Sequence, residues 1–249
     1  MPAPDPAALA ASDVPAMHAP DLATIEASVV ACERCPDLRA YCARIATEKK
    51  RAFRDETYWG RPVPAFGDPR ARVMLVGLAP GAHGSNRTGR MFTGDASGVW
   101  LYRALFRAGF SNRSEPRDRD DGLVLHDVLI TAALRCAPPG NAPTPEQRRH
   151  CFPYLVAEVD ALEGLRVVVG LGAIGTNAAL SALAACGYAF AARHVFAHLA
   201  ETRATHATRP PVVLLSSYHP SRQNTNTGVL TEPMLDAVFT RARDMLDGA

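Results

Sequence analysis

Gly77-Leu-Ala-Pro-Gly-Ala-His-Gly-Ser-Asn-Arg-Thr-Gly-Arg-Met-Phe-Thr-Gly-Asp95 is a long, glycine-punctuated loop, and its two flanks decide the fold. Before it, Arg72-Val-Met-Leu-Val-Gly77 carries a short apolar run without polar alternation, the pattern of a parallel strand buried on both faces. After it, Val99 to Ala108 is amphipathic and ends at Gly109, which reads as a helix with its stop signal. The loop therefore joins a strand's carboxyl end to a helix start, the place where open α/β sheets hold ligands. Its glycines, Gly77 and Gly81 foremost, allow close backbone approach. Phe92 and Asp95 are the side chains with most chemistry to offer, although Asp95 is equally suited to cap the helix that follows.

The same alternation continues outward. Val128–Leu134, Arg166–Gly170 and Pro211–Ser217 read as further strands. Thr144 to Leu162, Thr176 to Ala185 and Glu232 to Leu246 read as helices. Thr144-Pro-Glu-Gln147 has the residues of a capping box, with proline in the first turn. Asp21 to Ala31 also looks helical, and Leu38, Cys42 and Ile45 follow at helical spacing. Four short apolar strands alternating with helices predict an α/β fold, a three-layer α/β/α sandwich on a four-stranded parallel sheet. With no repeat and no linker, residues 21–249 are expected to form one domain behind a disordered, Ala- and Pro-rich tail at residues 1–20.

At 249 residues, 47% hydrophobic and 21% charged, the chain can bury an ample core. No apolar run reaches the roughly 18 residues that span a membrane, and the N-terminus lacks a basic stretch followed by an apolar one. A cytoplasmic protein without a membrane partner is expected. The net charge of +2 does not by itself imply a polyanion. Only Lys49 and Lys50 supply lysine among 27 basic residues.

Six cysteines without a secretion signal point away from disulfides. Cys32 and Cys35 form a CxxC pair, and Cys136 and Cys151 sit at a strand end and in the next helix. Zinc and a [4Fe–4S] cluster both accept four thiolates, and spacing does not separate them. Cys42 and Cys186 read as packing residues. Gly170-Leu-Gly-Ala-Ile-Gly175 matches the dinucleotide fingerprint but follows the third strand, and no acid occurs between Gly164 and Ala200. A tight turn with close helix–sheet packing is the better reading. His194-Val-Phe-Ala-His198 lacks the glutamate a zincin needs, so its histidines read as packed or surface groups. Ser217-Tyr-His-Pro-Ser221, at the end of the fourth strand, places His219 to donate into a cleft beside a rigidifying proline.

Taken together, these pieces resemble the uracil-DNA glycosylase superfamily, and within it the family 5 (type b) enzymes. Gly77-Leu-Ala-Pro-Gly81, Asn86 to Asp95, Cys136-Ala-Pro-Pro139 and His219-Pro-Ser-Arg-Gln-Asn-Thr225 carry the likeness, which covers roughly Cys32 to Leu246. The resemblance implies a [4Fe–4S] cluster on Cys32, Cys35, Cys136 and Cys151, away from the chemistry. It implies catalytic roles for Asp95 and His219. It also implies substrate contacts from Gly77, Leu78, Ala79, Pro80, Gly81, Asn86, Phe92, Ser221, Arg222 and Asn224, with Phe92 stacking on a base flipped from DNA.

Two departures refine this. Ala79 stands where many relatives keep an acid, which fits family 5. Ile130-Thr-Ala-Ala133 has no asparagine to test for uracil, so a permissive pocket is expected, taking uracil and other deaminated bases such as hypoxanthine. Lysine scarcity argues against a Schiff-base lyase. The expectation is a monomeric, monofunctional hydrolase whose partner is DNA containing deaminated bases. A non-catalytic iron–sulfur nucleic-acid-binding protein of the same fold, or a zinc-stabilised nucleoside hydrolase, is the alternative.

Overall fold

A computed structural model describes residues 21–248. The tail expected over residues 1–20 lies outside the described residues. The chain runs α1 (Leu22–Val30), α2 (Pro36–Glu48), β1 (Phe66–Gly67), β2 (Val73–Gly77), α3 (Ser85–Thr88), α4 (Ala96–Arg107) and β3 (Val128–Ala132). It continues through α5 (Pro145–Ala161), β4 (Val167–Leu171), α6 (Gly172–Ala185), β5 (Ala189–Phe190), β6 (Glu201–Thr205), β7 (Val212–Ser217), α7 (Arg222–Asn226) and α8 (Glu232–Asp247).

One seven-stranded sheet has the order β1-β3-β2-β4-β7-β6-β5. Its centre, β3-β2-β4-β7, is the expected set of four parallel strands. β2, β3 and β4 are buried at every position, which is why they read as apolar runs, broken only by Thr131 in β3. The sheet is wider than the sequence predicted, because β1, β6 and β5 add antiparallel strands at the two edges. Only Ala204 of Glu201-Thr-Arg-Ala-Thr205 is buried, so this polar edge strand carried no hydrophobic signal.

Side chains alternate between the faces of the sheet. Val73 and Leu75 join the core under α4 and α8, whereas Met74 and Val76 join the core under α1, α5 and α6. The capping box at the start of α5 forms as expected, Thr144 Oγ1 accepting from Gln147 N at 3.2 Å and Gln147 Oε1 from Thr144 N at 2.9 Å. The Gly170–Gly175 turn is a packing device. A Cβ on Gly175 would collide with the carbonyl of Val76, so glycine lets α6 lie directly on β2.

β2 continues into α4 on one face of the sheet, and β4 into α6 on the other. The neighbouring ends of β2 and β4 therefore open a crevice where the topology switches direction. The Gly77–Asp95 loop and the His219 loop meet there.

Candidate active site

Two buried arginines make the Gly77–Asp95 loop rigid. Arg87 Nε donates to the His83 carbonyl at 2.9 Å and one terminal nitrogen to the Gly94 carbonyl at 2.9 Å; the other pairs with Glu56. Its guanidinium stacks on Phe53, 3.9 Å from the ring centroid. Arg90 grips Asp121 with both terminal nitrogens, at 2.8 and 2.7 Å, and Thr93 Oγ1 with Nε at 2.9 Å. Burial works against ionised Asp121, but the Arg90 fork and the N–H groups of Arg117 and Leu123 hold its carboxyl well below the usual range. Thus the charge-dense 111–122 loop, polar on the sequence, clamps the site from behind.

Held between these arginines, Phe92 takes φ +50°, a left-handed conformation that costs a non-glycine residue of order 1 kcal/mol or more. The strain aims the ring at Gly77, where a Cβ would stand 3.0 Å from two ring carbons. Across the crevice His219 faces the same ring, with centroids 5.8 Å apart and planes inclined by 31°. Interleaving a base between two rings takes about 7 Å, twice the contact distance of carbon atoms. At 5.8 Å the two rings are too close to sandwich a base between them.

Burial pushes His219 down to about 4, so the imidazole is neutral near pH 7 and has one N–H to donate. The carbonyl of His219 is held by Asn224 Nδ2 at 2.9 Å and by Ser221 N at 2.8 Å. Gly172, from the glycine-rich turn after β4, backs the imidazole; a Cβ there would stand 3.2 Å from that of His219.

Asp95 does two things. Oδ1 accepts from Gly98 N at 3.0 Å and caps α4. Oδ2 is lodged against Gly81 and Gly84, and a Cβ on Gly84 would overlap it. Burial raises the carboxyl's pKa, against the pull of the Gly98 and Ser97 N–H groups and of the Arg222 and Arg87 charges. A half-buried carboxylate with a raised pKa, carried on the same loop as Phe92, can accept a proton from water.

The uracil DNA glycosylase superfamily model matches residues 64–243, spanning both loops. A type-5 uracil-DNA glycosylase of Thermus thermophilus is 51% identical over 195 residues, covering 78% of this chain and 85% of that protein. The type-5 enzymes of Mycobacterium bovis and Pyrobaculum aerophilum are 47% and 45% identical over 202 and 208 residues, covering 81% and 82% of this chain and 73% and 87% of theirs.

The chain belongs to the uracil DNA glycosylase superfamily.

Within this superfamily fold, the structure sorts the expected contact residues. Leu78 and Ala79 are half-buried, Pro80 is buried and Gly81 half-buried along the crevice floor, with the Gly77 and Leu78 carbonyls bonded to Ala133 N and Leu134 N at 2.9 and 3.0 Å. Arg222 is exposed at the start of α7. Three of the expected contact residues already have partners within the protein. Asn86 is fully buried, and its Nδ2 donates to the carbonyls of Ala82 and Cys42 at 3.3 and 3.4 Å, so it ties the loop to α2. Ser221 Oγ is engaged as the N-cap of α7, and the Asn224 amide holds the His219 backbone. Both shape the His219 loop from within it.

Cys32, Cys35, Cys136 and Cys151 come together around one closed recess between α2, α5 and the end of β3. Gln147 Nε2 donates to Asp37 Oδ2 at 2.6 Å, binding the first turns of α5 and α2, which bring Cys151 and the CxxC pair into place. Arg39 and Arg135 line the same recess, and Arg135 is fully buried on Glu158. Burial first, and then nearby Cys151, pushes the Cys35 thiol up to about 11; burial also raises Cys151.

Among the described residues no three His, Cys, Asp or Glu side chains converge closely enough for a single metal ion. Four thiols line one recess beside three arginines, Arg34, Arg39 and Arg135, a donor set of the kind that both zinc and a [4Fe–4S] cluster accept. Cys42 is the packing residue expected, its Sγ 3.6 Å from the Ala137 carbonyl. Cys186 is half-buried, with Sγ 3.5 Å from the Val156 carbonyl.

Sequence reasoning missed His150, whose Nδ1 lies 3.4 Å from Cys35 Sγ, and the Arg90–Asp121 clamp. Neither carries a local signal. His198, set aside as a packed histidine, accepts from Tyr218 N at 3.3 Å on Nδ1 and donates from Nε2 to the Met234 carbonyl at 3.2 Å. It braces the strand end that presents His219.

Proposed function

We propose that this chain is a monofunctional DNA-repair glycosylase that hydrolyses the N-glycosidic bond of uracil and of other deaminated bases such as hypoxanthine, leaving an abasic site. The observation that carries the reading is the meeting of Phe92 and neutral His219 across the crevice between β2 and β4, with the Asp95 carboxylate on the same loop as Phe92. Names of type-5 relatives support the substrate class.

A flipped base stacks on Phe92, and the His219 N–H bonds its carbonyl, taking up charge as the C1′–N bond breaks and the base departs as an anion. The Asp95 carboxylate faces the cationic sugar and accepts a proton from the water that adds at C1′. The released base regains a proton from solvent.

A permissive pocket is supported by the end of β3. Thr131, the polar side chain of Ile130-Thr-Ala-Ala133, turns away and donates to Glu158 Oε2 at 2.7 Å. The absence of lyase chemistry is supported by Lys49 and Lys50, which follow α2, the first donating to the Arg54 carbonyl and the second lying over Phe53. Cys32, Cys35, Cys136 and Cys151 would hold a [4Fe–4S] cluster, which when bound supplies a structural anchor for α2 and α5. The protein acts as a cytoplasmic monomer; among the described residues no helix is long and apolar enough to cross a membrane.

A base-release panel covering uracil, hypoxanthine, xanthine and thymine mismatches tests the reading. Release of uracil and hypoxanthine, with no borohydride-trapped adduct, is expected. A trapped adduct overturns the monofunctional assignment, and release of uracil alone overturns the permissive pocket. A colourless protein without absorbance near ~400 nm after anaerobic purification would remove the cluster.

A further inference from the structure

Two grooves flank the crevice, and they differ in charge. One, beside Trp59, is lined by Arg61, Arg87, Arg117 and Arg119 but also by Glu56, Asp118 and Asp120, a surface of mixed charge. The other lies between α5 and α6. Its apolar floor includes Phe152, Leu155, Ile174 and Ala178, its rim is Arg148, Arg149, Asn177 and Ser181, and no acid lines it. Arg148 and Arg149 are exposed and form no ion pair among the described residues.

We propose that this second groove is a track for a DNA strand continuing from the flipped nucleotide, with phosphates on Arg148 and Arg149 and sugars or bases against Phe152 and Ile174. The proposal rests on the glycosylase reading above.

Three observations select DNA as the occupant. The first is charge complementarity, with two unpaired guanidinium groups and no opposing carboxylate. The second is position. α5 follows β3 and α6 follows β4, so their first turns stand at the same sheet edge as the catalytic loops, where their N–H groups and dipoles also favour anions. The third is continuity with the crevice. Ala133, at one end of the groove, bonds the Gly77 carbonyl at 2.9 Å; Ala178 on the floor rests on the same buried cysteine cluster as Ala79 of the catalytic loop. Ile174 is two residues from Gly172, which backs His219. The exposed apolar side chain of Ile174, 38% accessible, thus has a partner in the stripped face of a sugar or base.

The test is equilibrium binding of a uracil-containing oligonucleotide, carrying a non-hydrolysable sugar at the uracil, across a salt series. Arg148→Gln/Arg149→Gln removes two phosphate contacts, so the slope of log affinity against log salt should fall by about 1.5, and affinity at ~0.1 M salt by roughly 30-fold. Arg70→Gln/Arg166→Gln, the same charge change at the opposite edge of the sheet, should leave the slope at the wild-type value. Truncating the oligonucleotide on one flank of the uracil should abolish the difference between wild type and the groove variant, as expected of a strand that follows a track. An unchanged slope in a groove variant that unfolds at the wild-type temperature overturns the proposal, as does an equal loss in the opposite-edge variant or an effect that survives truncation on either flank. Release of uracil by the wild-type protein is measured alongside; its absence counts against the glycosylase reading, whereas its presence with an unchanged slope counts against the groove alone.

Discussion

Asp95→Asn separates the two roles that the structure gives this carboxylate. Asparagine caps a helix about as well as aspartate, so the bond from Gly98 N survives and α4 should lose no more than about 0.5 kcal/mol. Burial already disfavours the charged carboxylate at this position, so its removal relieves a desolvation cost and offsets part of that loss. The chemistry behaves differently. A carboxylate about 5 Å from a cationic sugar carbon, at an effective dielectric constant of about 20, contributes about 3 kcal/mol to the transition state, or roughly 200-fold in rate.

The assay is single-turnover uracil release with enzyme in excess, paired with denaturant unfolding. Asp95→Asn should be slowed about 200-fold at near wild-type stability. Asp95→Ala should show the same slowing and lose a further ~1 kcal/mol of stability through the missing cap. Gly84→Ala keeps the acid but displaces Oδ2, and should approach the Asp95→Asn rate. If Asp95→Asn retains more than about a third of the rate while Asp95→Ala is slow, the residue is a cap and the catalytic assignment is wrong.

Three other outcomes follow from the same geometry. The unfolded chain protonates His219 near 6.5 and the folded one near 4; below about pH 6.5 the unfolded state binds more protons, so stability falls on acidification, by at most about 2 kcal/mol between pH 7.5 and 5. His219→Gln should flatten that part of the profile in urea melts, and an unchanged profile would refute the buried neutral imidazole. Arg90→Met or Asp121→Asn strands one member of a buried pair and should cost about 3–5 kcal/mol, whereas Arg90→Met/Asp121→Leu should recover much of it; a loss in the double variant equal to the sum of the single losses would show that the pair is not coupled. His198→Ala removes the acceptor for Tyr218 N and should slow uracil release while destabilising the fold by about 1–2 kcal/mol. Loss of stability with an unaltered rate would mean that His198 does not position the His219 loop.

The parallel core was legible because the central strands are buried on both faces and are therefore mostly apolar. Val73–Gly77 and Val128–Ala132 announce themselves in this way, as does the capping box of α5, whose partners are three residues apart. The polar edge strand Glu201–Thr205 gave no such signal, since it needs only its ladder partner and one buried alanine.

The loop of Gly77–Asp95 stood out as a candidate site from its own residues, with Phe92 and Asp95 in it and His219 in the second loop. What tertiary structure alone decided is how those groups are used. Asn86, chemically able to bind a base, is turned inward onto α2 because its amide satisfies two carbonyls there. The clamp on Arg90 comes from an aspartate 31 positions away. Cys35 and His150 meet across 115 positions. Local pattern encodes what a residue needs from neighbours a few positions away, such as a buried face, a capped N–H or a tight turn. Which distant carboxylate, thiol or ring satisfies it is set only when strands order themselves in a sheet and bring their ends to one edge.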